Sequence, residues 1–523
     1  MLFPSSYLAY LGLKMRAQVC CILLACTVCV LGAFPPAGMA DPSDLGIIIA
    51  MSVEGFNKLA EGSLPILESQ IYDMKFPDIE VPVDLGITEV DLTISDMAMT
   101  ELNVGGLSIG NDVVSEPPRV NIELDDTSLA LSFSWSYKET TFPFISDHGT
   151  GTVTVDGVSG SMSSTVGVSP DTAMMYAAFV SFAFDLGDIT IDLDGGASAL
   201  YGLVLNAFLT VIEDLFADEL NDMLGSALEN AINTGMEGAP WHNGQTDGIV
   251  QDMRPVPPGF NIMPGFVGIQ YTGYMYPETE GLTLEDWDRR TKPAPLPSII
   301  NDADVQMIVS NSVFDSLFSV ANYESLLQGT ISPDTVANPM FESYLSTSVL
   351  ASMCPEVYAQ YPSSGVSLEM SASIDPTLTF MPSAGFLNIT GTVDVSVNSD
   401  PASDVYDTEV FELGVSYGLA MTPRVWQRLH SYGNETVLSW TASMYNSTAW
   451  EVSSEYGPVA VDSPQSLQLL TMLGALGVAP FVTDFTTGHA PTFAIDGGFF
   501  GYDQAQAFFQ GATTYVVTIP IDV

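Results

Sequence analysis

Residues Gly46 to Ile71 read GIIIAMSVEGFNKLAEGSLPILESQI, and the fold turns on this stretch. Gly46 to Met51 is a short apolar run that predicts a buried strand. It leads straight into an amphipathic pattern in which Phe56, Leu59, Ala60, Leu64, Leu67 and Ile71 recur at helical spacing. Pro65 lies inside that pattern and predicts a kink, and Phe76-Pro77-Asp78 ends the element. The same order returns later: Val305 to Val309 predicts a strand, and Val313, Phe314, Leu317, Phe318 and Ala321 predict one face of a following helix.

The segments after each strand–helix unit alternate with period two. Val90, Leu92, Ile94, then Leu129, Leu131, Phe133, Trp135, Tyr137, then Val153 and Val155 predict an antiparallel sheet with one buried face. The second half repeats this with Leu387, Ile389, Val393, Val395 and Val397. Long helices are expected over Tyr201 to Ile232, with a stripe of Phe208, Ile212, Phe216, Leu220, Leu224 and Leu228, and over Ser466 to Phe481. A helical stretch is expected near Phe341 to Tyr361, and a closing strand over Thr514 to Ile519. Each half is therefore strand, helix, antiparallel sheet, helix. Between about Gly238 and Pro297, eight prolines from Pro255 to Pro297 predict a connecting segment without regular elements, with Arg289, Arg290 and Lys292 clustered in it. The resulting division is 1–40, 41–245, 246–297 and 298–523.

The 523 residues carry 63 Asp+Glu against 12 Lys+Arg, a formal charge of −51. That charge repels nucleic acid, heparin-like polymers and anionic membrane surfaces. With 47% hydrophobic and 10% aromatic residues the chain has ample core and is not a disordered polyanion. Lys14 and Arg16 precede the apolar run Ala17 to Phe34, and Gly38 and Ala40 suit cleavage before Asp41. Residues 1–40 read as a signal peptide, started at Met1 or Met15, with an uncleaved anchor as the alternative. The expected location is extracellular or the lumen of the secretory-endosomal system. Four of five cysteines fall in that segment, so Cys354 has no partner in the remainder and reads as a small buried core residue. Asn388, Asn434 and Asn446 head glycosylation sequons. After residue 40, no stretch reads as long and apolar enough to span a bilayer; the best, Leu203 to Ile212, is too short.

Catalytic chemistry lacks a pattern. His148, His242, His430 and His489 are far apart and none has metal-ligand spacing. Gly157-Val-Ser159-Gly-Ser161 has Ser where a nucleophile elbow needs its second Gly, and reads as a turn between strands. Asp192-Leu-Asp-Gly-Gly196 lacks the remaining ligands of a calcium loop and reads as a turn before a helix. The expectation is a protein that is not an enzyme and has no metal or resident cofactor.

Gly46 to Ile71 with Phe76-Pro77-Asp78 resembles the amino-terminal signature of the bactericidal/permeability-increasing and lipopolysaccharide-binding protein family. Gly151 to Gly157 is similar to that family's strand and turn before its second helix. Ser312-Val-Phe314 with Leu317-Phe318 resembles the helix opening its carboxy-terminal domain. Cys354 to Pro362, Met370 to Ser373, Pro376 and Leu378 resemble a further run of that domain. The resemblance spans Gly46 to Ile519. It implies an α+β fold of two tandem tubular barrels, each a highly curved antiparallel sheet around a long helix, joined into a boomerang by a central sheet to which the proline-rich linker 246–297 contributes. It also implies lipid binding in apolar channels. The helix faces nominate Phe56, Leu59, Ala60, Leu67, Phe208, Ile212 and Leu215 in the first barrel, and Val313, Phe314, Leu317 and Phe318 in the second.

The chain departs from the family in two ways. Residues 41–245 hold no Cys, so the family's first-domain disulfide is absent. The loop regions of the first half carry Asp78, Glu80, Asp84, Asp147 and Asp188, with Lys75, Lys138 and Arg119 scattered, where bactericidal relatives have a basic tip. The expectation is a lipid-binding or lipid-transfer protein for phospholipid-like ligands, touching membranes or lipid particles at most transiently. One alternative is a defence protein binding lipopolysaccharide or another microbial envelope lipid. Another is an acidic, cation-binding adhesive protein.

Overall fold

The computed structural model describes residues 41–58, 61, 78–84, 89–140, 146–168, 175–185, 187–195, 242–244, 248–278, 287, 295–297, 303–335, 342–381, 384–400, 405–430, 433–489, 492–493, 506–510 and 514–521. The signal segment, the kink at Pro65, the helix expected over Tyr201 to Ile232 and the cations Arg289, Arg290 and Lys292 lie outside the described residues.

Ile47–Ser52, the run that opens the first half, is a strand, and it pairs antiparallel with Val305–Ser310, which opens the second. Ile47 faces Val309 and Met51 faces Val305. The two lie at the middle of a six-stranded antiparallel sheet in the order Pro255–Met263, Phe266–Tyr271, Ile47–Ser52, Val305–Ser310, Thr514–Ile519, Gln506–Gln510. Every residue of Ile47–Ser52, Val305–Ser310 and Thr514–Ile519 is buried. Ile47, Ile49, Met51, Met307 and Val309 join the main core, whereas Ile48, Ala50 and Ile308 pack on the opposite face with Leu45 and Leu296. Cover on both faces is why these strands read as unbroken apolar runs.

Each opening strand ends in a serine that caps the helical turn after it. Ser52 Oγ accepts the Gly55 N–H at 2.9 Å, and Ser310 Oγ accepts the Ser312 N–H at 3.3 Å at the start of the helix Asn311–Tyr323. Gly55 is needed because a Cβ there would stand 2.8 Å from the Asp304 carbonyl oxygen of the other half. Asp304 draws three segments together: its carboxylate accepts Lys58 Nζ at 3.0 Å on each oxygen and the Ile521 N–H at 2.9 Å.

The first-half sheet has seven strands, ordered Ile79–Asp84, Glu89–Asn103, Arg119–Glu139, Ser146–Val168, Met175–Asp185, with Gly106–Asp112 and Asp188–Gly195 pairing from the side. Its buried face is the predicted one: Val90, Leu92, Ile94, Leu129, Leu131, Phe133, Trp135, Tyr137, Val153 and Val155 form one cluster. The second-half sheet runs Gln328–Ile331, Val366–Ala372, Ala384–Val397, Thr408–His430, Gly433–Ser454, Thr492–Phe493, with Thr377–Met381 paired to Ala384–Val397.

Several expectations change. The prolines do not break the segment as their number predicts: Ile249–Asp252, Pro255–Met263, Phe266–Tyr271 and Met275–Pro277 are strands, and the second and third belong to the central sheet that the resemblance implies for 246–297. Pro255, Pro257 and Pro258 fit because Pro255–Met263 is the edge strand, where a missing N–H costs no ladder bond. Gly157 to Ser161 is no turn but the interior of Ser146–Val168, where Gly157 at φ +72° accompanies a register shift between Thr127 and Leu129 of the neighbouring strand. Asp192 to Gly195 is the end of a strand paired with Gly149 to Thr152. The helical stretch near Phe341 to Tyr361 is two short helices, Thr347–Leu350 and Pro355–Gln360, because Pro355 restarts the chain. Cys354 sits between them, fully buried. The helix expected over Ser466 to Phe481 is longer, running from Pro464 to His489. Contrary to the sequence expectation, its Pro464–Thr487 portion is long and apolar enough to cross a bilayer. Its buried residues, among them Leu470, Leu473, Val482 and Phe485, instead pack into the core with the second-half sheet.

Asp304→Ala leaves the Lys58 ammonium and the Ile521 N–H without their shared acceptor. The expected result is a loss of about 1–3 kcal/mol in denaturant unfolding, larger than for Glu54→Ala, whose carboxylate only flanks Lys58 at the surface.

Candidate binding site

The helix Pro464–His489 forms one wall of a cavity against the second-half sheet. Ser463 caps its start, accepting the Ser466 N–H at 3.1 Å, and Pro464 occupies the first turn. Its middle, Gly474–Val478, widens to a π turn in which the Ala479 N–H reaches the Gly474 carbonyl. Pro480 supplies the cause. It offers no N–H to the Leu476 carbonyl and its ring crowds that oxygen, so the helix takes up an extra residue just before it. The π turn brings Leu476, Gly477 and Val478 to the cavity. Glycine lets the helix approach the sheet closely. A Cβ on Gly477 would stand 2.7 Å from Ile331 Cδ1, and one on Gly474 would run into Met444.

The cavity has a volume of about 640 Å³. Its sheet-side wall includes Ile331, Met370, Ile389, Val415 and Tyr417, and its helix side includes Leu476, Val478 and Phe481. Leu476 and Phe481 remain 39% and 38% exposed, so they mark an apolar mouth, with the exposed Asp484 beside them. The polar groups on the wall are largely satisfied: Ser371 and Thr392 hydroxyls pair at 3.1 Å, and Thr335 Oγ1 bonds within its own turn to Ser332. Tyr417 differs. Its hydroxyl is buried without a hydrogen-bond partner among the described residues, and burial pushes the phenol well above its usual pKa. A shape this apolar, with one open mouth, suits the hydrocarbon part of an amphiphile.

The sequence-nominated residues are placed differently. Leu59, Ala60, Leu67, Phe208, Ile212 and Leu215 lie outside the described residues. Phe56 is buried in the core below the central sheet. Val313, Phe314, Leu317 and Phe318 are also buried, but they do not line this cavity; they fill the junction between the central and second-half sheets. Phe314 meets Trp440 at 4.1 Å and Tyr515 at 5.9 Å, and Phe318 meets Phe485 at 6.1 Å between ring centroids. The residues that line this cavity were not among those nominated from the sequence. Their one signal in the sequence is Gly474, Gly477 and Pro480 inside an otherwise apolar helix, which helix spacing alone ignores.

The helix Asn311–Tyr323 also carries a half-buried carboxylate. Asp315 accepts the Leu378 N–H at 2.9 Å, and desolvation pushes its pKa up to about 6. No group of three or more His, Cys, Asp or Glu able to hold a metal comes together among the described residues.

Three comparisons bear on the class of protein. The crystal structure of lipopolysaccharide binding protein matches with a TM-score of 0.55 at 13% identity, covering 91% of this chain and 99% of that one. At that identity the likeness concerns the fold alone, and the fold is that of lipopolysaccharide binding protein. A BPI/LBP family protein of Arabidopsis thaliana is 23% identical over 316 residues, 59% of this chain. The match spans 61% of that relative's length. Residues 286–425 match the C-terminal domain of the LBP / BPI / CETP family. Together these findings support the likeness to the BPI/LBP family that the motifs from Gly46 onward carry.

Asp315 makes stability depend on pH with a definite sign. Its folded pKa lies above the unfolded value, so the folded state binds the proton more tightly and stability falls as pH rises from about 4 to about 6. Asp315→Asn keeps an acceptor for Leu378 and removes the half-buried charge. The variant is expected to gain on the order of 1–3 kcal/mol over wild type at pH 7, and the gain should vanish near pH 4 in parallel denaturant titrations.

Proposed function

We propose that this is a secreted lipid-binding protein that holds a phospholipid-like ligand in apolar channels and acts as a carrier without catalysing a reaction. In this reading each large sheet wraps a helix to form a tubular barrel, and the central sheet joins the two barrels. The observation that carries it is the cavity of about 640 Å³ between the second-half sheet and the helix Pro464–His489, apolar on both walls and open at Leu476 and Phe481. The family likeness supports lipid binding in general; the choice of a phospholipid-like ligand rests on the chemistry of the wall. Each buried methylene contributes about 0.8 kcal/mol, so an acyl chain supplies ample affinity with no charged anchor. A chain with 12 basic residues has few such anchors to offer.

The experiment is an organic extract of the purified protein read by mass spectrometry, with uptake of a labelled phospholipid as the second arm. Co-purified two-chain lipid or stoichiometric uptake is expected; a lipid-free protein that also rejects the label sinks the proposal. Gly329 gives a blocking variant, since it lines the cavity and a Cβ there meets nothing within 4 Å. Gly329→Phe is expected to cut uptake severalfold while leaving the melting temperature unchanged or slightly raised, phenylalanine being the better strand residue.

Lipopolysaccharide is the ligand named for the structural relative, and electrostatics argue against it here. At one end of the first-half sheet Asp91 faces Lys138, and Glu89 and Asp147 lie in the neighbouring rows, so among the described residues acids outnumber the one cation there. Arg119 and Asp188 of the predicted loop set do not belong to that end: Arg119 opens its strand at the far side, and Asp188 pairs with Asp156. An acidic end repels the phosphates of lipid A. No binding to lipopolysaccharide micelles is expected at neutral pH and low salt, and saturable binding in a flotation assay would overturn that view.

A further inference from the structure

Two sequons that are 58 residues apart in sequence become neighbours in the fold. In the second-half sheet Asn388 faces Gly418 across one ladder, and Gly418 faces Asn446 across the next. The two asparagines therefore flank one strand on a single cross-strand row, about 10 Å apart by the spacing of a sheet. Both are exposed, on the face opposite the core residues Leu387, Tyr417 and Leu419. The sequon hydroxyls, two residues on, form the next row: Thr390 faces Ser416, and Ser416 faces Thr448.

Between the two asparagines lies a ring. Tyr445 is the extra residue of a register shift at Gly418, and its ring lies over that glycine, where a Cβ would stand 2.6 Å from Tyr445 Cζ. Phe386 props it edge-on at 5.1 Å. Tyr445 is nonetheless 51% exposed, and Trp450, lying over Gly414 on the same face, is 45% exposed. Two glycines spaced to seat two aromatic rings on an outward face form a platform that the fold leaves uncovered.

We propose that this face is covered by the protein's own N-linked glycans, attached at Asn388 and Asn446, with the first sugar of each packed against Tyr445. In the transfer, Asn Nδ2 bonds to the anomeric carbon of an oligosaccharide carried on a polyprenyl diphosphate. The anomeric C–O bond breaks, the polyprenyl diphosphate leaves, and Nδ2 gives up one proton. The apolar face of a pyranose lies flat on an aromatic ring, and a row that places two attachment points on either side of one ring brings both sugars within reach of it. The inference rests on the secretory route assumed in the proposed function, but not on lipid binding.

The test uses the full chain expressed in a glycosylating secretory host and recovered from the medium. Site-resolved glycopeptide mass spectrometry is expected to find Asn388 and Asn446 both modified. Hydroxyl-radical footprinting is expected to show severalfold slower oxidation of Tyr445 before than after enzymatic deglycosylation of the folded protein. The double variant Asn388→Gln/Asn446→Gln should match the deglycosylated protein. Secreted protein with either asparagine unmodified overturns the paired site. Modified protein whose Tyr445 oxidises equally fast with and without glycans overturns the packing. A concentration-dependent protection of Tyr445 that survives deglycosylation also overturns it, and assigns the face to a second copy of the chain. Lipid extraction from the same preparation reads the carrier proposal separately.

Discussion

The antiparallel pairing of Ile47–Ser52 with Val305–Ser310 is the constraint on which the rest depends. It joins residues about 260 positions apart in a ladder buried on both faces, so neither strand has a solvated alternative. Everything next to it is held by close approach. Gly55 allows the first helical turn to touch the backbone at Asp304, and the Asp304 carboxylate gathers Lys58 and Ile521. Few cations exist to neutralise this chain's acids. Lys58 neutralises Asp304 at this junction, and Arg254, at 2.7 Å from Asp252, is nearly as buried as its partner. Such placement fits a strongly acidic chain, because an unpaired buried carboxylate is costly whereas the surface acids remain hydrated.

From that junction the second half builds a cavity by a different device. A proline inside an apolar helix forces a π turn, and two glycines on that turn let the helix settle close against the sheet. The helix thus lines a space it does not fill. The phenylalanines of Asn311–Tyr323 pack elsewhere, Phe314 onto Trp440 and Tyr515 and Phe318 onto Phe485. These two helices have separate tasks, one sealing the junction and one bordering the cavity.

Strands with one buried face were legible because their period is fixed by backbone geometry: the alternation from Leu129 to Tyr137 and from Val393 to Val397 is the alternation of burial. The opening strands were legible as continuous runs, and Thr514–Ile519 falls on its predicted bounds. Prolines misled in both directions. At Pro255 to Pro258 they read as an end to regular structure but lie on an edge strand, a position that only sheet order defines. At Pro480 the sequence shows an obstacle in a helix, and whether the helix breaks, kinks or widens depends on what it packs against. Gly157 likewise reads as a turn, yet its partners across the sheet keep the strand going.

The sequence by itself determined the strand–helix openings, the buried faces, the family resemblance and the strongly acidic charge. These are properties of neighbours in the chain, fixed by periods of two and 3.6 residues and by composition. Only the tertiary structure decided which apolar faces are packed solid and which border a void, because a void is a mismatch between two surfaces and belongs to neither alone. For the same reason, only the structure could bring Asn388 and Asn446 to either side of one exposed tyrosine.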